Sequence, residues 1–351
     1  MKSFDHINAT TVDEALAALK YGNGKATLIA GGTDLLGIIK DRILPDYPEV
    51  IINIKTIREL EYIKEDPEGL KVGALAKLSD IAESAAVLSE YNGLAQAARS
   101  VATPEIRNMG TIGGNLCQRV RCWYYRYPHQ VGGRIMCRRK GGSSCPAVKG
   151  DNRYHSIMGG KGCVAVCPSD MAIMLTALHA KLIIAGPEGQ RTTSIQDFFA
   201  TTGNSSNHQE MLTEIQIPKQ PTQSRQIYLK YSLRKPIDFA VVSIASIITL
   251  ENGVCTDAAI VLGAVAPTPV RASEAEEAIK GKTIDDTTAE RAAVAAVKYT
   301  KPLSMNAYKV QVTKTLVKRA IFCENTIAGI PNSHRKGQEN WCPTHRGNQR
   351  I

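Results

Sequence analysis

Six of the nine cysteines in this chain fall in one stretch: Cys117, Cys122, Cys137, Cys145, Cys163 and Cys167. Between Cys117 and Lys161 lie ten Lys and Arg (119, 121, 126, 134, 138, 139, 140, 149, 153 and 161) and one acid, Asp151. That is a local charge of +9, against +10 for the whole chain. Cations offset the charge of a thiolate where it forms, so thiols in such a setting can become metal ligands. An iron–sulfur cluster is the sharpest chemistry these residues offer. No C-x-x-C occurs, which argues against a zinc ribbon. The plant-type C-x₄-C-x₂-C signature is only half met, by Cys117 and Cys122. Six thiols for four iron positions leave the ligand set open, and a zinc knot or unligated cysteines are the other readings. His129 and His155 share the stretch and read as surface histidines. Trp123, Tyr124 and Tyr125 read as cover for the thiols. Cys255, Cys323 and Cys342 are isolated and read as structural.

Two glycine-rich stretches offer a second chemistry. In Leu28-Ile29-Ala30-Gly31-Gly32-Thr33-Asp34-Leu35 a strand pattern runs into paired glycines, a hydroxyl and an acid. Glycines let the backbone approach a bulky anion, and successive N–H groups can then cradle phosphate. The order is neither a Walker loop nor G-x-G-x-x-G. Taken alone it reads equally as a tight strand-to-helix turn. The second stretch, Thr103-Pro104-Glu105-Ile106-Arg107-Asn108-Met109-Gly110-Thr111-Ile112-Gly113-Gly114-Asn115-Leu116, again crowds small residues and amides along a backbone path. Two such loops on two small α/β units suggest a dinucleotide held between them.

The elements that must carry these loops follow from periodicity. Residues 11–21 place Val12, Ala15, Leu16 and Leu19 at helical spacing, with Thr11 and Glu14 as a capping box. Strands are expected over 26–30, 50–54, 70–74, 180–184, 227–233, 239–250 and 258–266. Helices are expected over 78–89, 93–101, 170–179, 272–280, 287–298 and 304–323. Residues 324–351 are polar and read as a loosely ordered tail or a subunit-facing arm.

Apolar content of 43% and charged content of 22% are those of an ordinary soluble globular protein. At 351 residues the chain can form two or three cores. The basic charge is local and no nucleic-acid motif accompanies it, so no nucleic-acid partner is expected. The start, MKSFDHINAT, has no apolar core of an export signal. The longest apolar run, Phe239 to Leu250, is too short to span a membrane. A cytoplasmic protein is expected, with metal or redox use of its cysteines rather than disulfides.

The two glycine loops, taken with Cys167-Pro168-Ser169-Asp170 and with Tyr228-Leu229-Lys230-Tyr231 followed by Arg234-Lys235-x-x-Asp238, resemble the FAD-binding medium subunits of the molybdenum hydroxylases, the xanthine dehydrogenase and carbon monoxide dehydrogenase group. The resemblance spans about residues 1–323, in order. It implies an α+β chain: a two-subdomain FAD-binding fold of the PCMH type, not a Rossmann fold, then a C-terminal α+β domain. The boundaries expected are 1–56 and 57–222 for the FAD-binding subdomains, 223–323 for the C-terminal domain and 324–351 for the tail. It implies that Leu28, Ile29, Ala30, Gly31, Gly32, Thr33, Asp34 and Leu35 wrap the FAD pyrophosphate. Thr111, Gly114, Asn115 and Cys117 would lie along the flavin, with Thr103 and Asn108 in the same motif. Ser169 and Asp170 would hold the adenosine end, and Lys230 would reach the isoalloxazine region.

Residues 117–167 depart from the common family pattern as an insertion of roughly forty residues. In this they resemble the β subunit of 4-hydroxybenzoyl-CoA reductase, whose insertion carries an additional [4Fe–4S] cluster. That resemblance implies Cys122, Cys137, Cys145 and Cys163 as ligands. It also implies a complex with a molybdopterin-binding large subunit and a [2Fe–2S] small subunit, and ferredoxin or NAD as the external partner. This chain would then be an electron-transfer subunit with no catalytic acid or base of its own. The rival reading is the FAD subunit of an NAD-linked dehydrogenase whose cysteine-rich insertion is a structural zinc or interaction loop.

Overall fold

The computed structural model describes residues 1–202, 209–234 and 237–322. Lys235, Cys323, Cys342 and the polar tail lie outside the described residues. The described residues are α+β and build three sheets in sequence order.

The first sheet joins β1 (Asp5–Asn8), β3 (Val50–Asn53) and β2 (Ala26–Ile29), in that order and all parallel. Helix α1 (Val12–Tyr21) leads into β2, and α2 (Leu35–Lys40) crosses from β2 to β3. Thr11 caps α1 as expected, its Oγ1 accepting from the Glu14 N–H at 3.2 Å. The Glu14 carboxylate reaches one residue past the cap and accepts from the N–H and hydroxyl of Thr10, both at 2.7 Å.

The second sheet is antiparallel, ordered β4 (Ile63–Asp66), β5 (Gly69–Gly73), β8 (Met211–Pro218), β6 (Lys181–Gly186) and β7 (Gly189–Ser194). The helix expected over 78–89 is two helices, α3 (Leu78–Glu83) and α4 (Ala85–Glu90). Ser84 separates them with non-helical backbone (φ −60°, ψ 126°), though its hydroxyl makes no capping bond. Then come α5 (Asn92–Ser100), α6 (Pro104–Met109) and α7 (Ile112–Cys117), and later α10 (Asp170–Ala177) and α11 (Ile195–Thr202). Every residue of α10 is buried, as an all-round apolar helix requires. Its Ser169 cap accepts from the Ala172 N–H at 3.0 Å.

The third sheet is ordered β12 (Val270–Arg271), β11 (Val254–Gly263), β10 (Val242–Glu251) and β9 (Ser224–Tyr231), all antiparallel. Alternation along β10 sends Ala245 and Ile247 into the core around α10. It sends Ile244 and Ile248 into a second core under α12 (Ser273–Ile279), α13 (Asp286–Ala296) and α14 (Tyr308–Phe322). Each isoleucine so buried is worth about 1.5–3 kcal/mol. The sheet is therefore pinned between helices on both faces, and β9 is held rigidly beside α5.

The cysteine-rich segment between α7 and α10 is built differently. Its regular structure is two four-residue helices, α8 (Trp123–Arg126) and α9 (His129–Gly132), and two single 3₁₀ turns. Side chains from elsewhere hold it in place. The Lys309 ammonium, fully buried on α14, donates to the carbonyls of His155 at 2.9 Å and Ala264 at 2.6 Å. Burial pushes this lysine down to about 7. The Asn306 amide donates to the His155 and Ser156 carbonyls. Among the described residues no helix is long and apolar enough to cross a membrane.

Candidate functional site

The two glycine loops meet. A Cβ on Gly31 would overlap the Met109 carbonyl, so the backbone after β2 runs directly against the end of α6. Gly32 adopts φ +73°, a conformation glycine takes without strain. Beside this junction opens a cleft of about 510 Å³, within the range of about 300–1,000 Å³ usual for ligand sites. All of residues 28–35 line it, as do Thr103, Thr111, Gly114, Asn115, Cys117, Asp170 and Lys230. Gly114 and Cys117 are exposed to solvent through the cleft. Protein atoms still crowd the Cys117 thiol, and this desolvation pushes it up to about 11.

Two residues that the sequence associates with the cleft lie off its wall. Asn108 is exposed on the short helix α6 and is not among the residues lining the cleft. Ser169 is buried one layer back; its hydroxyl donates to the Asn115 Oδ1 at 2.6 Å and so orients a side chain that does line the cleft. Thr111 lines the cleft, but its hydroxyl is engaged in capping α7, accepting from the Gly114 N–H at 3.1 Å.

Asp170 and Lys230 are each other's partner. The Lys230 ammonium donates to Asp170 Oδ2 at 2.7 Å and to the Ser100 carbonyl at 2.9 Å, while the Tyr228 hydroxyl donates to Asp170 Oδ1 at 2.6 Å. Burial and the adjacent carboxylate push the Tyr228 hydroxyl well above its ordinary range, so it acts as a donor. Asp238, also on the cleft wall, pairs instead with Arg234 at 2.7 Å.

Asp34 reaches out of the first loop into the cysteine-rich segment. Its carboxylate accepts from the Arg119 backbone N–H at 2.9 Å, from Arg121 and from Arg126 at 2.7 Å. Burial alone would raise its pKa; the Arg121 and Arg126 guanidiniums and the Arg119 amide outweigh that and hold it below the usual carboxylate range. Arg121 lines the cleft and lies 4.7 Å over the Phe239 ring, another cleft wall. These contacts had no sequence signal, because they join residues more than eighty positions apart. They also correct the role of the arginines: Arg121 and Arg126 serve Asp34, while Arg138 and Arg139 flank the thiols.

Cys122, Cys137, Cys145 and Cys163 line one small cavity, closed by Val120, Tyr124, Tyr125, Pro146 and Ala165. Cys117 sits on the cleft wall and Cys167 in the main core, so the structure separates these two from the other four. The Arg139 Nε donates to Cys163 Sγ at 3.1 Å. Burial pushes the Cys122 thiol up to about 11. His155 is not the surface residue its loop position suggests. It is 3% exposed, its Nε2 lies 3.2 Å from Cys122 Sγ, and Trp123 packs edge-on against it. Among the described residues no group of three or more His, Cys, Asp or Glu could hold a single metal ion. The four thiols line a shared cavity but are not gathered as a metal site.

The chain matches two family models: the FAD binding domain in molybdopterin dehydrogenase over residues 2–220, and the CO dehydrogenase flavoprotein C-terminal domain over residues 227–323. It is 32% identical to the aldehyde oxidoreductase FAD-binding subunit of Escherichia coli, over 79% of this chain and 86% of that one. It is 26% identical to the carbon monoxide dehydrogenase medium chain of Afipia carboxidovorans, over 91% and 96%. Among solved structures, carbon monoxide dehydrogenase from Hydrogenophaga pseudoflava matches with a TM-score of 0.73 and 27% identity, covering 91% of this chain and 96% of that one.

Proposed function

The chain belongs to the FAD-binding medium subunits of the molybdenum hydroxylases, and from that premise we propose that it is an electron relay carrying both FAD and a [4Fe–4S] cluster. FAD is the family's cofactor and the cleft between the glycine loops suits it. In this reading residues 28–35 wrap the pyrophosphate. Thr103, Thr111, Gly114, Asn115 and Cys117 line the flavin's path. Asp170 and Lys230, paired at 2.7 Å, stand together and serve the same part of the dinucleotide instead of its two opposite ends, with Ser169 acting through Asn115. Asn108 has no part in it. The same reading divides the chain at 1–56, 57–222 and 223–323.

The observation that carries the iron–sulfur half is the shared cavity of Cys122, Cys137, Cys145 and Cys163. A single zinc ion draws its thiolates to about 2.3 Å from one point, whereas a cubane takes one thiolate on each of four irons. Four thiols lining one cavity supply the number of ligands a cubane requires. Arg138 and Arg139 supply positive charge beside a thiolate-bound, anionic group, and the apolar and aromatic wall limits water.

When bound, FAD supplies exchange between electron pairs and single electrons, and a cluster supplies single-electron transfer. The chain's own residues hold, orient and shield. Lys230 and Tyr228 donate to Asp170, the Thr111 hydroxyl caps α7, and Ser169 orients Asn115. None acts as a general acid or base. Substrate chemistry would fall to a molybdopterin-binding large subunit, and transfer between the two would run through a [2Fe–2S] small subunit. Ferredoxin or NAD would be the external partner, in the cytoplasm.

Purification of the tagged chain from its host under exclusion of oxygen tests this. The expected result is a yellow-brown complex with two further subunits, molybdenum and iron. Recovery of the chain alone, with zinc in place of iron, would contradict it.

A further inference from the structure

Cys122 sits in the middle of a segment that belongs to both sites. Arg119 and Arg121 line the flavin cleft, while Cys122, Tyr124 and Tyr125 line the cysteine cavity. Arg126 then turns back, its guanidinium donating to the Val120 and Arg119 carbonyls at 2.8 and 3.0 Å and to Asp34. Asp34 stands at the N-terminal end of α2 and makes no side-chain bond that caps it. Its carboxylate is committed instead to the segment 119–126. Asp34 and Arg126 are each 17% exposed at the side chain, so neither has free access to water as a substitute partner.

The segment has little order of its own. With only a four-residue helix in it, its placement depends on what grips it at each end. Thiols ligated at the cavity would fix one end. The Asp34 ion pairs fix the other. If the segment moves, Asp34 is left half-buried without a cation, a costly state. The loop 28–35 must then shift to relieve it.

Taking the cavity as an iron–sulfur site, as above, we propose that Asp34 and Arg126 are positioning residues that couple the two cofactor sites. An occupied cysteine cavity holds segment 119–126, which holds the first glycine loop in the shape that binds FAD. By linkage, bound FAD favours retention of the iron–sulfur group by the same factor.

The test compares FAD affinity, read by flavin fluorescence, in iron-loaded and iron-free full-length chain. Wild type is set beside Asp34→Asn, Arg126→Gln and Arg126→Lys. Arg126 does not line the cleft, so its variants leave direct FAD contacts in place. Iron loading is expected to tighten FAD binding about tenfold in wild type. The ratio is expected to fall to about one in Asp34→Asn and Arg126→Gln, with iron still loading, and to recover in part in Arg126→Lys. A ratio of one in wild type, or an undiminished ratio in both charge-removing variants, would overturn the coupling. Iron analysis before FAD is added separates that failure from the other: a chain that takes up no iron overturns the cavity reading and this inference with it.

Discussion

The flavin cleft and the cysteine cavity are neighbours made by opposite means. The cleft is shaped by backbone. Its walls are the turn after a parallel strand, the heads of short helices and a strand held between two cores. The cavity is shaped by side chains, in a segment with almost no regular structure, held by Asp34 on one side and by Asn306 and Lys309 on the other. A site made of backbone tolerates side-chain changes that keep the turn, and fails when a glycine is lost. A site made of side chains fails when one of them is cut.

The largest contrast is expected at the thiols. Cys137→Ser should lower iron from about four per chain to near zero. The same protein, supplied with excess FAD, should keep its flavin. Metal and flavin analysis of one preparation reads both; flavin lost with iron retained would reverse the assignment of the two sites. Next comes the more deeply buried ion pair of the cleft wall. Lys230 and Asp170 are only 8% and 7% exposed at the side chain. Lys230→Met leaves Asp170 buried without its cation and should cost about 3–5 kcal/mol of stability, measured by urea unfolding. A loss below 1 kcal/mol would mean that Tyr228 alone satisfies Asp170.

Gly31→Ala should act through backbone overlap with Met109. Its expected cost is about 1–3 kcal/mol, with loss of most bound flavin and no loss of iron. Flavin retained at wild-type affinity would show that the two loops can part without harm. The smallest effect distinguishes Cys117 from an ordinary thiol. With its thiol raised to about 11, the thiolate is scarce at neutral pH and grows as pH rises toward that value. Alkylation of Cys117 in FAD-free protein at pH 8 should therefore run roughly tenfold slower than for a free thiol, and accelerate with pH. A rate already flat above pH 8.5 would contradict this.

The same contrast explains what the sequence could disclose. Gly31, Gly32 and Gly113 are legible because a positive φ at Gly32 and close backbone approach at the other two select the residue type. Thr11 and the strands at 26, 50 and 70 are legible because a local backbone demand selects residue type there too. The break at Ser84 was missed because apolar periodicity continues across it. Asp170 and Lys230 were both named, but not as partners, since pairing across sixty residues leaves no periodic trace. His155 was misread because loop position says nothing about burial; only the packing of Trp123 and the grip of Lys309 on its carbonyl bring it to Cys122. The four cavity cysteines entered through family resemblance, and spacing alone could not have separated them from Cys117 and Cys167.

The most direct measurement is cofactor stoichiometry with low-temperature electron paramagnetic resonance on the chain purified anaerobically with iron and FAD supplied. The account predicts about one FAD and four irons per chain, and a cluster signal on reduction that disappears in Cys137→Ser. A flavoprotein free of iron, or one holding a single zinc, would contradict it.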